Sequence, residues 1–212
     1  MMRALSLVLL LLTAACAWTP DSVVIRRQAV PVAMVPQAAG VLVTVVAADA
    51  RQEREISHKK NGYGMRAADI SAENDIIAEI RAGVAEILGG QGFGSGADAT
   101  VRIEVTRFYN MFDLGFWSAT ANAQVTASLQ VQGADGRSLY GRVYSANHPL
   151  TGQVLMNATA AQTALQGALA GLLQQIANDP QLTSALLQAR PAPPPEPVAP
   201  EPVRRPARRP IS

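Results

Sequence analysis

The side chains best suited to catalysis or metal binding are few in this 212-residue chain. The two histidines, His58 and His148, lie far apart, and neither stands in the short Cys and His spacing of a zinc site. Residues 89–96 are glycine-rich, but they follow a predicted helix, whereas a phosphate-binding loop leads from a strand into a helix. No nucleophile elbow, P-loop or dinucleotide fingerprint is present. The sequence therefore predicts no enzyme and no metal or cofactor site.

The only cysteine, Cys16, lies where an exported chain would be cut. Arg3 precedes an apolar run at residues 5–12, and small residues follow this run. That order is typical of a secretory signal peptide. The apolar run has about half of the roughly 20 residues that a membrane-spanning helix needs, so we expect no transmembrane anchor.

The four residues 13–16, Thr-Ala-Ala-Cys, resemble the lipobox of bacterial lipoproteins, although Thr13 stands where Leu is usual. The resemblance implies a signal peptide at 1–15 and a diacylglycerol and acyl chain (palmitate) on Cys16. Two or three acyl chains anchor a protein stably, because each buried CH₂ contributes about 0.8 kcal/mol. Ala17 follows the cysteine where Asp would favour the inner membrane, which points to the periplasmic face of the outer membrane. The alternative is an incidental or buried thiol in an ordinary secreted protein.

The charge distribution argues against nucleic acid as a partner. The chain has 18 basic and 16 acidic residues, and the stretch 17–190 holds 13 basic and 14 acidic ones. The basic excess therefore lies in the signal and in the C-terminal tail, not on the domain. Nucleic-acid binding normally needs clustered Lys and Arg on a folded surface.

Two proline-containing segments flank the predicted domain. We expect residues 16–39 to form the lipidated N-terminus and a tether, with an edge strand at 30–35 as an option. Residues 191–212 contain nine prolines and should be an extended, disordered tail. The tail is either a solvated spacer or a contact for acidic polymers or lipid head groups. Its four arginines are Arg204, Arg205, Arg208 and Arg209.

The segment 40–190 has the patterns of an α+β domain. A valine-rich strand opens it, a polar loop or loose hairpin follows, and apolar residues at helical spacing then predict a helix with Ser71 as its N-cap. Residues 119–132 alternate strictly between apolar and polar side chains, as in an antiparallel sheet with one buried face and one solvent-exposed face. A capping box at Thr159 opens a second helix, and Asp179-Pro180 starts a short third one. The order β-α-β-β-β-α predicts a two-layer sandwich of an antiparallel-rich four-stranded sheet with two main helices on one face.

A cluster of aromatic residues falls at the expected turn between two of these strands. If the strands extend through it, the phenylalanines pack under the helices. Otherwise the turn presents an apolar tip that docks on a membrane, an acyl chain or another envelope protein. The candidate residues are Phe108, Tyr109, Phe112, Phe116 and Trp117.

The order of motifs resembles that of the YajG-type bacterial lipoprotein family. The valine strand runs into Asp49 and Arg51, a loop contains Asn61, a helix ends in Gln-Gly-Phe, and the last long helix ends at Asn178-Asp179-Pro180. The long Pro/Arg tail and the aromatic turn depart from the family pattern. Because the family's molecular role is not established, the resemblance implies fold and localisation more than an activity.

These observations favour a non-enzymatic accessory or scaffold subunit of a cell-envelope complex. Its expected partners are the membrane, through the lipid anchor, and an envelope protein. The element order is also similar to that of lipoproteins that assist lipopolysaccharide assembly or lipid transporters, so the main alternative is a lipid or glycan carrier with an apolar cavity. A hydrolase has only its exported location in its favour.

Overall fold

The computed structural model describes residues 19–61, 63–115, 118–153 and 156–189. The predicted signal peptide, Cys16, Phe116, Trp117 and the tail 191–212 lie outside these ranges. The eight strands are β1 (Asp21–Val23), β2 (Leu42–Asp49), β3 (Ser57–Lys60), β4 (Arg66–Ala72), β5 (Gly94–Ser95), β6 (Ala99–Leu114), β7 (Ala119–Gly133) and β8 (Ser138–Gln153). The helices are α1 (Ile76–Gln91), α2 (Ala158–Ala177), α3 (Pro180–Gln188) and a 3-10 turn at Pro36–Ala38.

A five-stranded sheet of order β5-β2-β6-β7-β8 forms the main layer. β2 runs parallel to β5 and β6, and the remaining pairs are antiparallel. The alternation predicted for β7 is confirmed: its odd-numbered residues from Ala119 to Val131 are buried, and the side chains between them are partly exposed. α1 and α2 cover the buried face side by side, with Gly83 of α1 against Leu173 of α2.

The prediction of a single four-stranded sheet was wrong, because a second sheet of order β1-β4-β3 lies beside the first. Its strands have only three, seven and four residues, and they come from a segment expected to be a tether and from one expected to be a polar loop or a loose hairpin, of which the hairpin is present as β3 and β4. Part of the predicted tether 16–39 packs on the domain, since Ile25 and Ala38 are fully buried. Short, charged strands of this kind carry too little alternation to stand out in a sequence.

The two sheets meet along β6. β2 ends beside Val105, and further along β6 the backbone amide of Asn110 donates to the carbonyl of Ile56 just before β3, at 2.8 Å. A bulge between Val105 and Arg107 inserts one residue, so the buried positions move from odd to even numbers while the same face stays in the core. This shift turns Phe108 and Phe112 inward.

The helix starts follow local hydrogen bonding. Asp75 caps α1 by accepting from the amides of Ile77 and Ala78, and Asn157 caps α2. The caps expected at Ser71 and Thr159 were therefore a few residues off, whereas Asp179 caps α3 as predicted. α1 ends at Gly92, whose φ of 103° is the left-handed conformation that glycine adopts most easily.

Candidate functional site

Two turns lie side by side at one end of the molecule and expose large apolar side chains. The β3–β4 turn carries Tyr63 and Met65, which are 90% and 58% exposed, and β6 ends at Leu114, which is 48% exposed. A Cβ atom built on Gly64 would lie 3.2 Å from Cδ1 of Leu114, so the two turns are in contact. We call these three residues, Tyr63, Met65 and Leu114, the apolar tip.

Side-chain hydrogen bonds hold the β3–β4 turn in shape. The Asn61 side-chain oxygen accepts from the amides of Tyr63 and Met65, both at 3.0 Å, and the Asn61 carbonyl accepts from the amide of Gly64. Lys60 donates from Nζ to the carbonyl of Phe112 at 2.6 Å, which ties the base of this turn to β6. The tip is therefore a fixed part of the fold.

The described chain begins near the same end. β1 pairs in parallel with β4, with Asp21 opposite Ile70, so the chain before Asp21 heads toward the start of β4 and the tip. Lys59 holds the segment that leads into β1 in place, because its Nζ donates to the Thr19 carbonyl at 3.0 Å and pairs with the Asp21 carboxylate at 2.9 Å. Thr19 is only three residues after Cys16.

The predicted aromatic cluster divides between the core and the boundary of the two sheets. Phe108 and Phe112 are each 1% exposed and belong to the hydrophobic core, as the packing alternative predicted. Tyr109 is half-buried, and its hydroxyl hydrogen-bonds Nδ1 of His58 at 2.6 Å. Phe116, Trp117, Cys16 and the four tail arginines lie outside the residues that the structure describes.

His58 and Tyr109 join β3 to β6. Burial lowers the pKa of His58, and the nearby cations Arg66 and Lys60 add to this effect. Burial also raises the pKa of Tyr109, with help from Glu55. Near neutral pH both groups are therefore uncharged, which suits a hydrogen bond that links two sheets.

Asp49 and Arg51 form an ion pair at the end of the first long strand. The Arg51 guanidinium donates from Nε and Nη2 to the two oxygens of Asp49, each at 2.8 Å, and these bonds lower the pKa of Asp49 to about 2. The Arg51 side chain is only 8% exposed, and its Nη1 has no partner among the described residues. Open clefts of about 330 and 800 Å³ flank this pair, lined mainly by charged and polar side chains that include Glu55.

The buried carboxylate of Asp179 organises one end of β8. Its Oδ2 accepts from the hydroxyls of Tyr140 and Tyr144, at 2.6 and 2.8 Å, and from Nη1 of Arg142, at 2.7 Å. Its Oδ1 caps α3. Burial alone would raise the pKa of Asp179, but the tyrosine hydrogen bonds and the helix amides outweigh it and hold the pKa at about 2. These hydrogen bonds hold the start of α3 against β8.

The family comparison decides the class of protein. A family model described as "Uncharacterized lipoprotein" (Lipoprotein_16) matches residues 28–187. The chain belongs to this lipoprotein family. Membership implies a lipid membrane anchor, and it confirms the predicted lipoprotein class, while the YajG-type assignment stays a prediction. None of the lipoprotein's described helices is long and apolar enough to cross a bilayer.

Solved structures similar to this lipoprotein include protein XCC0632 from Xanthomonas campestris, of the DUF330 family. It matches with a TM-score of 0.51 and 14% identity, over 81% of this chain and 95% of that one, which supports the fold alone. A minor lipoprotein from Acinetobacter baumannii matches with a TM-score of 0.44 and 10% identity, over 68% of this chain and 94% of that one. No curated protein matches the sequence.

Sequence reasoning missed two features of the lipoprotein. The tip was missed because Tyr63 and Met65 are isolated apolar residues in a polar loop. The Asp179 cluster had a usable signal: Tyr140, Arg142 and Tyr144 recur at period two and so share one face of β8. Within the described ranges, no group of three or more His, Cys, Asp or Glu side chains is placed to hold a metal ion.

Proposed function

We propose that this protein is a lipoprotein anchored through Cys16 to the periplasmic face of the outer membrane, where it acts as a non-enzymatic accessory or scaffold subunit of an envelope complex. The observation that carries the proposal is the position of Thr19. The folded domain starts three residues after the lipidation site, so the anchor holds the domain directly at the membrane. A scaffold that must meet a membrane-bound partner benefits from this short connection.

The core argues against the alternative of a lipid carrier. The space between α2 and the main sheet is filled by side chains with no exposed surface, among them Leu165, Leu169 and Leu172 from the helix and Val125 and Leu129 from β7. A carrier would need an apolar cavity in this layer. The clefts beside Arg51 are open to solvent and are lined mainly by charged and polar residues, which does not suit an acyl chain.

The outer face of the main sheet is the best surface for a protein partner. Along β7 it presents a row of uncharged polar side chains, and β8, which forms one edge of the sheet, adds Val143, which is 65% exposed. An edge strand and a partly exposed sheet face are common docking surfaces. The polar row consists of Asn122, Gln124, Thr126, Ser128 and Gln130.

Photo-crosslinking in intact cells tests this proposal. A photoreactive residue in place of Val143 probes the sheet face, and the same residue in place of Ala85, which is exposed on α1, is the matched control. We expect a discrete protein adduct from Val143 and none from Ala85. The absence of a protein adduct at Val143 would contradict the accessory role, and a lipid adduct there would favour the carrier.

A further inference from the structure

We propose that the apolar tip inserts into the interface of the same membrane that holds the acyl chains of Cys16, so that the domain contacts the membrane through this end. The inference rests on the proposed lipidation of Cys16. It assigns a membrane-contacting role to Tyr63, Met65 and Leu114, and thereby an orientation to the domain.

The chemistry of the tip suits the head-group region of a bilayer. Tyrosine has an apolar ring and a polar hydroxyl, and it is enriched at membrane interfaces for that reason. Met65 and Leu114 add flexible aliphatic surface beside it, and each has about half of its surface exposed. In a soluble domain this apolar surface would stay in water, whereas at a bilayer it is buried.

The path of the chain brings the anchor to the tip. Thr19 lies two residues before Asp21, and the parallel pairing of β1 with β4 directs it toward Arg66, next to the β3–β4 turn. Three further residues reach at most about 11 Å at full extension. A lipid on Cys16 would therefore hold the bilayer at the end of the domain where Thr19 lies, which is the end that carries the tip.

The charges around the tip are compatible with a membrane surface. Lys60 and Arg66 flank the β3–β4 turn, and the ammonium group of Lys60 donates to the carbonyl of Phe112. Arg66 also pairs with Glu55 and Asp69, and Asp113 lies near the end of β6, so the region has both signs of charge. The apolar residues, rather than a strong positive field, therefore supply the contact.

The opposite end of the molecule provides a matched control. Met34 is 75% exposed and lies near Gly92, beside the chain segment that leads into the start of β6. β6 has 16 residues and is at most about 50 Å long at about 3.3 Å per residue, with the tip at its C-terminal end and the segment from Gly92 leading into its N-terminal end. A membrane contact at the tip leaves Met34 in water.

Lipid-borne quenching tests the orientation. Once Cys16 is acylated the chain has no other thiol, so Tyr63→Cys, Met65→Cys and Met34→Cys can each carry a single bimane label. The full-length lipidated variants are reconstituted into vesicles of phosphatidylethanolamine and phosphatidylglycerol, with or without lipids that carry a quencher near the head group. We expect blue-shifted emission and its loss to the quencher at positions 63 and 65, and neither change at position 34.

Flotation of the same vesicles separates the two proposals. If the proteins float but the labels at 63 and 65 behave like the label at 34, the tip proposal is overturned while the anchor stands. If the proteins do not float, the lipid anchor fails, and the tip proposal fails with it. Far-ultraviolet circular dichroism checks that each variant is folded, which we expect because the substituted side chains are largely exposed.

Discussion

Replacing Asp179 should destabilise the domain much more than removing an ordinary helix cap. The pKa of Asp179 is about 2, against a reference value of 3.8. The difference corresponds to roughly 2 kcal/mol in favour of the ionised form in the folded state. Asp179→Asn keeps the shape of the side chain and an oxygen for the α3 cap, but it removes the negative charge. It should therefore lower the free energy of unfolding by about 2 kcal/mol at neutral pH.

Asp179→Ala should cost more, because it also removes the cap and leaves Tyr144, which is 2% exposed, without its carboxylate. A helix cap contributes about 1 kcal/mol, so we expect a loss of about 3 kcal/mol in total. Asp75→Ala is the matched control: Asp75 caps α1 in the same way but is exposed, so its loss should cost only about 1 kcal/mol.

Urea denaturation followed by circular dichroism measures these differences. All variants carry Cys16→Ser, so that no lipid interferes with unfolding. The reasoning is refuted if Asp179→Ala and Asp75→Ala destabilise the domain equally, because the carboxylate would then act only as a cap.

Two further predictions concern pH and packing. The pKa values of Asp49 and Asp179 are lowered in the fold, so their stabilisation is complete above the unfolded value of 3.8 and is lost toward pH 2. As the pH falls through this range, the free energy of unfolding should decrease by about 2 kcal/mol for each of the two groups. The Asp179→Asn variant should show a smaller total decrease. Gly167→Ala should destabilise the domain by about 1–3 kcal/mol, since the new Cβ would lie 2.5 Å from the His148 ring. Gly89→Ala should instead stabilise α1 by about 0.5–1 kcal/mol, because the space around Gly89 is open. Thermal melts in which both substitutions change the stability in the same direction would contradict this description of the packing.

The regular part of the fold was predictable because one face of each long element is buried. In β7 apolar and polar residues alternate without interruption, and the apolar side chains of α1 and α2 recur at helical spacing. The periodicity of the apolar residues was therefore enough to locate these elements. The bulge near Thr106 was not predictable, because its effect is a one-residue shift that depends on the pairing with β7. That shift decides whether Phe108 and Phe112 face the core or the solvent.

The assembly of the second sheet around its hairpin and the position of the tip could not be predicted for a related reason. β3 and β4 form a local hairpin, but the pairing of β1 with β4 and the link between Ile56 and Asn110 join segments that are far apart in sequence. Tyr63 and Met65 become significant only when the fold places them beside Leu114 and near the entry of the chain. The prediction of a signal peptide and of a lipidation site, by contrast, uses a local pattern and needs only residues 1–16.

The most direct test of the account is intact mass spectrometry of the full-length protein extracted from cell membranes. The account predicts a mature chain that begins at Cys16 and carries a diacylglycerol and an acyl chain, and it predicts that Cys16→Ser no longer cofractionates with membranes. A mature chain that begins at another residue, or one with a free thiol at Cys16, would contradict it.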